Sequence, residues 1–206
     1  MQMNMKDFLT GCLVDLHLDE SALQLPDVQI DTEQIKCVMI NEVPPLNPED
    51  GFYSRTKEPN YMKTTLALFH DAGVQVKNMD DILSQGIYIT TAVKAPKHQY
   101  TVPGDMISSH LPLLEKEIGL FPNLKVIMLM GDVAKKAFNQ IAKKKTGKNV
   151  IPSASTCRIR AESFYYGQIR VFPSYIMTGG YILIEKGKCT MTSDDIRRMM
   201  EILQQH

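Results

Sequence analysis

Short runs rich in apolar and β-branched residues predict four core β-strands along the chain. Such runs are typical of parallel strands that are covered on both faces, whereas half-exposed strands alternate apolar and polar residues. Each run ends close to a proline or a glycine, and proline interrupts a strand because it cannot donate to a hydrogen-bond ladder. The predicted strands are residues 37–40, 87–93, 126–130 and 169–172.

Between and around these strands, apolar residues recur at the spacing of an amphipathic helix. Asp105 and Ser193 are residue types that cap helix N-termini, so we expect them to begin two of these helices. An alternating stretch, residues 158–161 with 168–172, predicts a hairpin that turns at Gly167. The predicted helices are residues 7–18, 60–72, 103–118, 133–145 and 193–205.

The alternation of predicted strands and helices indicates an α/β protein. Parallel strands that are joined by helices form a sheet with helices on both faces. We therefore expect a three-layer α/β/α fold with a four-stranded, mainly parallel central sheet. Residues 1–206 contain no linker, internal repeat or low-complexity segment, so we expect a single domain.

The composition is that of an ordinary globular domain, with 206 residues, 44% of them hydrophobic and 22% charged. The N-terminal segment lacks a basic stretch followed by an apolar run, and no run approaches the ~18 apolar residues of a membrane span. We therefore expect a cytoplasmic protein without a membrane partner. The cysteines are scattered, which favours free thiols and predicts no metal site. They are Cys12, Cys37, Cys157 and Cys189.

The zero net charge conceals two regions of opposite charge. Residues 1–50 contain ten acidic and two basic side chains, whereas residues 124–170 contain ten basic and two acidic ones. A basic region of this kind is able to follow the phosphates of a nucleic acid. It could equally be the solvated face of one helix and the loop after it, and the sequence leaves both interpretations open.

The most informative single residue is Glu42, which follows the first predicted strand and precedes two prolines. The carboxyl edge of an open α/β sheet is where such proteins bind ligands. A carboxylate held there on a stiff turn is able to accept a proton, bind a metal or orient a water. The alternative interpretation is a loop carboxylate that caps a nearby backbone amide.

Gly131 precedes a predicted helix N-terminus, which could face an anion. The residues around it lack the spacing of the dinucleotide-binding and ATP-binding glycine loops. The chain also lacks the common hydrolase and metalloprotease motifs. A dinucleotide or ATP site is therefore not expected.

Five blocks of the sequence follow one another at the spacing of a known family. Residues 40–45, INEVPP, correspond to the apolar strand and GEAPG motif of that family. Residues 89–96, ITTAVKAP, correspond to its ITNVVKCRPP motif. The other blocks are residues 111–118, LKVIMLMGDVA at 124–134 and FPSYIM at 172–177. Together they resemble the uracil-DNA glycosylase superfamily, nearest its iron–sulfur branch, and the resemblance implies the same three-layer fold.

The resemblance implies a role for each matching residue. In the family, the first-motif carboxylate orients the water that attacks the sugar C1′ as the base leaves, and this role falls on Glu42. An aromatic ring that follows the motif holds the flipped base, and it falls at Phe52 or Tyr53. The remaining base-pocket positions are Asn41, Val43, Thr91 and Phe172. The implied phosphate or strand contacts are Lys94, Gly131, Pro173 and Ser174.

Three departures from the family motifs change the expected chemistry. Thr91 replaces an asparagine that reads the base edge, so one hydroxyl stands where an amide offers both donor and acceptor. Phe172 replaces a histidine that stabilises the leaving anion, and one such donor is commonly worth about 10²–10³ in rate. Ala95 and His110 fall at two of the cluster-cysteine positions, so no iron–sulfur cofactor is expected.

Two functions follow from the resemblance. The first is a divergent DNA base-excision glycosylase in which Glu42 orients the attacking water. The alternative is a non-catalytic protein on the same fold that binds a nucleobase, a nucleotide or a nucleic-acid strand. A third possibility, an unrelated small-molecule enzyme with a flavodoxin-like sheet, stays open because a fold does not determine a function. The expected partner is DNA or a nucleobase-containing ligand.

Overall fold

A computed structural model describes residues 1–14, 16 and 18–205 of the chain. In this part of the chain the strands form one five-stranded sheet and one two-stranded sheet. The strands are β1 (Gln2–Asn4), β2 (Gln29–Asp31), β3 (Cys37–Asn41), β4 (Ile87–Thr91), β5 (Val126–Met130), β6 (Phe164–Tyr166) and β7 (Ile169–Ser174).

Helices connect most of these strands, and two short 3₁₀ turns lie at Glu20–Ala22 and Pro48–Asp50. No helix in the described residues is long and apolar enough to cross a membrane. The helices are α1 (Met5–Leu13), α2 (Asn60–Asp71), α3 (Met79–Ser84), α4 (Gly104–Ile118), α5 (Asp132–Thr146), α6 (Thr156–Ile159), α7 (Tyr181–Ile184) and α8 (Lys186–Gln204).

The five-stranded sheet has the order β4-β3-β5-β7-β6. Its first four strands are parallel, and the short edge strand β6 runs antiparallel to β7. Asn41 of β3 is the register partner of Thr91 of β4, so these two strands end together. The carboxyl ends of the parallel strands therefore share one edge of the sheet, and β4 is its outermost strand on one side.

Alternate residues of the central strands supply two cores, one on each face of the sheet. Val38 and Ile40 pack in one cluster with Ile107 of α4 and Phe138 of α5. Met39 belongs to the other cluster, with side chains from α2, α3 and α8. Burial on both faces accounts for the continuous apolar runs of β3 and β5. The predicted α/β class and mainly parallel central sheet are confirmed.

The predicted number of central strands and the predicted hairpin need correction. β6 adds a fifth strand, and its residues 164–166 pair with β7 across the turn at Gly167. The expected first arm, residues 158–161, instead begins inside α6, where Ile159 is buried. A stretch of four residues is too short to distinguish the period of a strand from that of a helical turn.

The predicted capping residues of two helices are also wrong. α8 begins at Lys186, and Ser193 is buried within it rather than capping it. Gly187 and the threonines that follow have low helix propensity, so the first turns of α8 carry a weak helical pattern. Pro103 is the N-cap residue of α4, and Asp105 lies in its first turn.

At the N-terminus, the helix predicted for residues 7–18 corresponds to α1, which ends at Leu13. Asp15 and His17 lie outside the described residues. The sequence pattern did not predict β1, β2 or α3, because elements of three to six residues contain too few repeats of either period.

Candidate functional site

Glu42 lies directly after β3 at the carboxyl edge of the sheet, and its side chain is half-buried. Its Oε1 accepts a hydrogen bond of 3.1 Å from the backbone N–H of Val133, in the first turn of α5. The first N–H groups of a helix lack partners within the helix, and the positive helix end favours a carboxylate. Glu42 therefore caps α5 in this structure.

Gly131 makes room for this contact. Its φ is 109°, and a Cβ at this position would lie 2.5 Å from Oε1 of Glu42. Only glycine combines this backbone conformation with so close an approach. The N–H of Gly131 donates to the carbonyl oxygen of Ser174 at 3.2 Å, so it is already engaged within the protein.

A cleft of ≈ 700 Å³ opens at the same edge, beside β4. Its walls come from the loop after β3, from the segment of residues 20–27 and from the end of β4. Three of the residues predicted for a base pocket, Phe52, Tyr53 and Thr91, line this cleft. Its lining does not include Asn41, Glu42, Val43 or Phe172.

Two aromatic side chains form one wall of the cleft. Phe52 is buried and meets Tyr61 edge to face, with ring centroids 5.2 Å apart. Tyr53 stacks beside Tyr88 at 6.3 Å and donates its hydroxyl to the carbonyl oxygen of Ile89 at 2.7 Å. Burial raises the pKa of Tyr53 far above its ordinary value, so this hydroxyl stays a neutral donor. The wall is thus preformed.

The end of β4 that lines the cleft is held by a fully buried ion pair. Nζ of Lys94 lies 2.5 Å from Oε2 of Glu117, and both side chains are 0% exposed. Lys94 also donates to Oγ1 of Thr90 at 2.7 Å and to the carbonyl oxygen of Thr91 at 2.6 Å. Oε1 of Glu117 accepts hydrogen bonds of 2.8 Å from Tyr88 and Thr90. This network fixes the backbone and one hydroxyl at the cleft.

Burial also governs ionisation around this network. It lowers the pKa of Lys94, an effect that the neighbouring Glu117 carboxylate opposes. Burial lowers the pKa of His110 on α4 as well; the hydrogen bond to Met106 opposes this shift and the Lys94 ammonium adds to it. Nδ1 of His110 donates to the carbonyl oxygen of Met106 at 2.8 Å, and its buried Nε2 has no partner among the described residues. The imidazole is therefore neutral at physiological pH.

Asn41 lies next to Thr91, one strand further into the sheet. Its Nδ2 approaches the carbonyl oxygen of Thr90 at 3.5 Å, which is a long contact. Its Oδ1 is buried and has no hydrogen-bond partner in the part of the chain that the structure describes. A buried acceptor left unpaired costs about 1–3 kcal/mol, so such atoms often mark a position for a water or a ligand group.

The residues implied at the end of β7 lie away from the cleft. Phe172 is 1% exposed, and its ring lies 4.3 Å from the guanidinium carbon of Arg170 and 5.3 Å from that of Arg198. Ser174 is 0% exposed and donates its Oγ to Asp195 at 2.7 Å. As placed here, neither side chain offers a free group to a base or a phosphate.

Like Ser174, the other residues implied as phosphate contacts are enclosed, because they lie at the ends of strands that helices cover. The ammonium of Lys94 is surrounded by protein acceptors, which corrects the expectation that it contacts a phosphate. Pro173 is buried in β7, where it is the register partner of Leu129. The base-pocket position Val43 is also buried in the core, and its carbonyl oxygen accepts a 3.2 Å hydrogen bond from Tyr61.

The residues at the family's cluster positions do not fit an iron–sulfur cluster. Ala95 has no ligating side chain, and His110 uses Nδ1 within its own helix. The cysteines of the chain are free. Within the described residues, no three side chains of His, Cys, Asp or Glu are arranged to hold a metal ion.

Sequence reasoning missed the ion pair and one wall of the cleft. Glu117 lies among Leu113, Leu114 and Ile118, which puts a carboxylate on the apolar face of α4. That pattern could have indicated a buried cationic partner, since buried charges are normally paired. Residues 20–27 carry no comparable pattern, and hydrogen bonds such as that from the N–H of Gln24 to the carbonyl oxygen of Lys94 hold them at the cleft.

The sequence matches no protein-family model and no curated protein sequence. The chemistry of the site therefore has to carry any functional assignment, since a fold alone does not.

Proposed function

We propose that this protein binds a nucleobase-containing ligand in the cleft beside β4 without cleaving it. The observation that carries the proposal is that Phe52, Tyr53 and Thr91 line the cleft, whereas Glu42 caps α5. An aromatic wall with few polar groups suits a planar heterocycle. The cleft volume of ≈ 700 Å³ falls within the range of about 300–1,000 Å³ that is typical of small-molecule sites.

The hydrogen-bonding groups support a base rather than a purely apolar ring. Thr91, which lines the cleft, offers a hydroxyl that donates or accepts. A base edge that presents an N–H or a carbonyl oxygen would pair with this hydroxyl, directly or through a bridging water.

The architecture supports the same ligand class. Four parallel strands between helices on both faces are what the resemblance to the uracil-DNA glycosylase superfamily implies. We therefore propose that the chain is a divergent member with an altered base pocket. Thr91 and Phe172 stand where the resemblance implies the base-reading amide and the anion-stabilising imidazole, and this supports binding without excision.

A divergent DNA glycosylase is the second candidate, and the position of Glu42 favours it. The carboxylate follows β3, where the resemblance implies the residue that orients the attacking water. Catalysis would require a Glu42 oxygen within hydrogen-bond reach of a water at the sugar. The contact of Oε1 with Val133 counts against it, because that oxygen already serves the helix.

Isothermal titration with uracil, adenine, hypoxanthine and their nucleosides tests the binding proposal. We expect at least one of them to bind, and we expect Thr91→Val to weaken that binding about tenfold, since the lost hydrogen bond leaves a ligand group unpaired. Glu42→Gln is the matched control at the same sheet edge and should bind like the wild type. The proposal fails if no compound binds, or if Thr91→Val binds as tightly as the wild type.

An excision assay separates the two candidate functions. Single- and double-stranded oligonucleotides with uracil, hypoxanthine or xanthine are incubated with the protein, and abasic sites are then cleaved. We expect no product above the level of a Glu42→Ala control. Product that depends on Glu42 would replace the binding proposal with the glycosylase.

A further inference from the structure

A second cleft, of ≈ 850 Å³, adjoins the first. The loop after Ser54 and the starts of α2 and α3 line it. Both linings include Asp27, Phe52, Tyr53 and Ser54, so the two clefts share the aromatic wall. The two clefts therefore meet along this wall.

The two clefts differ in charge. The first is lined by one cationic side chain, Lys6, and by two acidic ones, Glu20 and Asp27. The second has three acidic side chains, Asp27, Glu58 and Asp80. Its four cationic side chains are Arg55, Lys57, Lys63 and Lys77. The balance of charge therefore attracts the anionic part of a ligand to the second cleft and not to the first.

The cations of the second cleft are available to a ligand. Arg55 lies 3.7 Å from Asp27, and Lys63 lies 3.4 Å from Glu58, with all four side chains largely exposed. Exposed pairs of this kind contribute about 0–1 kcal/mol, so a phosphate can replace the carboxylate. Lys57 and Lys77 are exposed and form no ion pair among the described side chains. Lys57 lies in the same loop as Arg55, and Lys77 lies just before α3.

The cations that sequence reasoning suggested for phosphate binding are less suitable. Lys94 is enclosed with Glu117. On α5, Lys144 and Lys145 both lie near Glu115, and neither lines either cleft. Apart from Lys6 in the first cleft, the cations that share a cleft with the aromatic wall are therefore those of the second cleft.

We propose that the second cleft is the phosphate subsite for a ligand whose base occupies the first cleft. This inference rests on the proposed function and narrows the ligand from any nucleobase-containing molecule to a nucleotide or a nucleic-acid strand. One sugar separates a base from its phosphate, and Tyr53 lines both clefts. Arg55 supplies a planar fork for two phosphate oxygens, and the lysines supply point charges.

The contribution of the phosphate subsite is measured by comparing the affinities of ligands that contain the same base. The wild-type protein is titrated with the base, its nucleoside, its 5′-monophosphate and a dinucleotide, each at low and high salt. We expect the monophosphate to bind at least about tenfold more tightly than the nucleoside, and we expect salt to reduce this gain because phosphate contacts release counterions. If the dinucleotide binds more tightly than the monophosphate, the source of the phosphate is a nucleic-acid strand. If the two bind equally, the source is a free nucleotide.

Double lysine variants show which side chains account for the tighter binding of the monophosphate. Lys57→Ala with Lys77→Ala should remove a large part of the affinity that the monophosphate gains over the nucleoside, while Arg55 and Lys63 retain the rest. Nucleoside affinity should stay unchanged. Lys136→Ala with Lys148→Ala is the matched control, since these lysines are exposed and line neither cleft. All four are surface positions, so we expect unchanged folding by circular dichroism in both variants.

The outcomes distinguish the two proposals. A monophosphate that binds no more tightly than the nucleoside overturns the subsite and leaves base binding in the first cleft intact. A gain that is undiminished in the variant with Lys57→Ala and Lys77→Ala overturns it as well. Failure of every base and nucleoside to bind overturns the proposed function, and the subsite with it.

Discussion

The carboxyl ends of β3 and β4 are neighbours in the sheet, yet their surroundings differ. Asn41 and Thr91 are register partners; after Asn41 the chain places Glu42 against α5, whereas Thr91 lines the cleft. The difference follows from the strand order. β3 lies between β4 and β5, and α5, the helix that follows β5, begins beside the carboxyl end of β3. β4 is the edge strand, so loops enclose open space beside it.

The two strand ends are also stabilised differently. At β3, a half-buried carboxylate completes the first turn of a helix through one hydrogen bond. At β4, a closed network around Lys94 and Glu117 holds the threonines beside the cleft. The carboxylate that is chemically most suggestive in the sequence therefore has a structural contact, whereas the threonine that ends the neighbouring strand lines the cleft.

Lys94→Met should have the largest effect, a loss of about 3–5 kcal/mol in the free energy of unfolding. The substitution leaves the carboxylate of Glu117 buried without its cation. Urea unfolding followed by circular dichroism measures the loss. Adding Glu117→Leu removes the orphaned charge, so the double variant should be more stable than the single one. A single variant as stable as the wild type would show that the pair does not support the β4 end.

Gly131→Ala should cost about 3 kcal/mol of unfolding free energy, because strain at positive φ adds to the overlap with Glu42. Gly147→Ala is the matched control: its φ is also positive, at 78°, but no atom lies within 4 Å of the new Cβ. We expect that variant to lose about 1 kcal/mol. Equal losses, measured in urea, would contradict the tight contact between Gly131 and the carboxylate.

Glu42→Gln should cost about 0.5 kcal/mol, since it keeps an acceptor for Val133 but loses the charge at the helix end. Glu42→Ala should cost about 1 kcal/mol, since the cap itself is lost. Added salt should narrow the difference between wild type and Glu42→Gln. An increase in stability on Glu42→Gln would favour the glycosylase instead, because residues kept for chemistry often reduce stability.

The last prediction concerns the pH dependence of stability at the β4 end. Burial lowers the pKa of His110 below its ordinary value of 6.5, so just below pH 6.5 the unfolded chain binds a proton that the folded chain does not. The free energy of unfolding should therefore fall as the pH decreases through this window, by at most about 1.4 kcal/mol per pH unit for this proton. His110→Gln should flatten the fall in urea unfolding. An unchanged slope would assign it to another group.

The elements with long apolar patterns were predictable, and the short ones were not. The predicted bounds of β5, α2 and α5 agree with the structure to within a residue, because each pattern spans several residues of one period. The hairpin arm at residues 158–161 failed because four residues fit a strand and a helical turn equally well.

The candidate site was predictable only as an edge of the sheet. Thr91, Phe52 and Tyr53 do meet at one cleft, because strand ends and the loops after them share that edge. Phe172 also lies near the carboxyl end of a central strand, but its side chain is buried under α8. Position along a strand therefore indicates the edge, whereas the exposure of a side chain there depends on which helix packs over it.

The sequence alone was enough to establish the α/β class and, to within two residues, the ends of the central strands, because both follow from local hydrophobic period and from nearby proline and glycine. Three features that shape the site come from contacts between distant residues: β4 as the edge strand, Glu42 at the start of α5, and Lys94 against Glu117. No local pattern encodes these contacts. They form only when the packed layers exclude water, because burial then requires each charge and each helix end to find a partner.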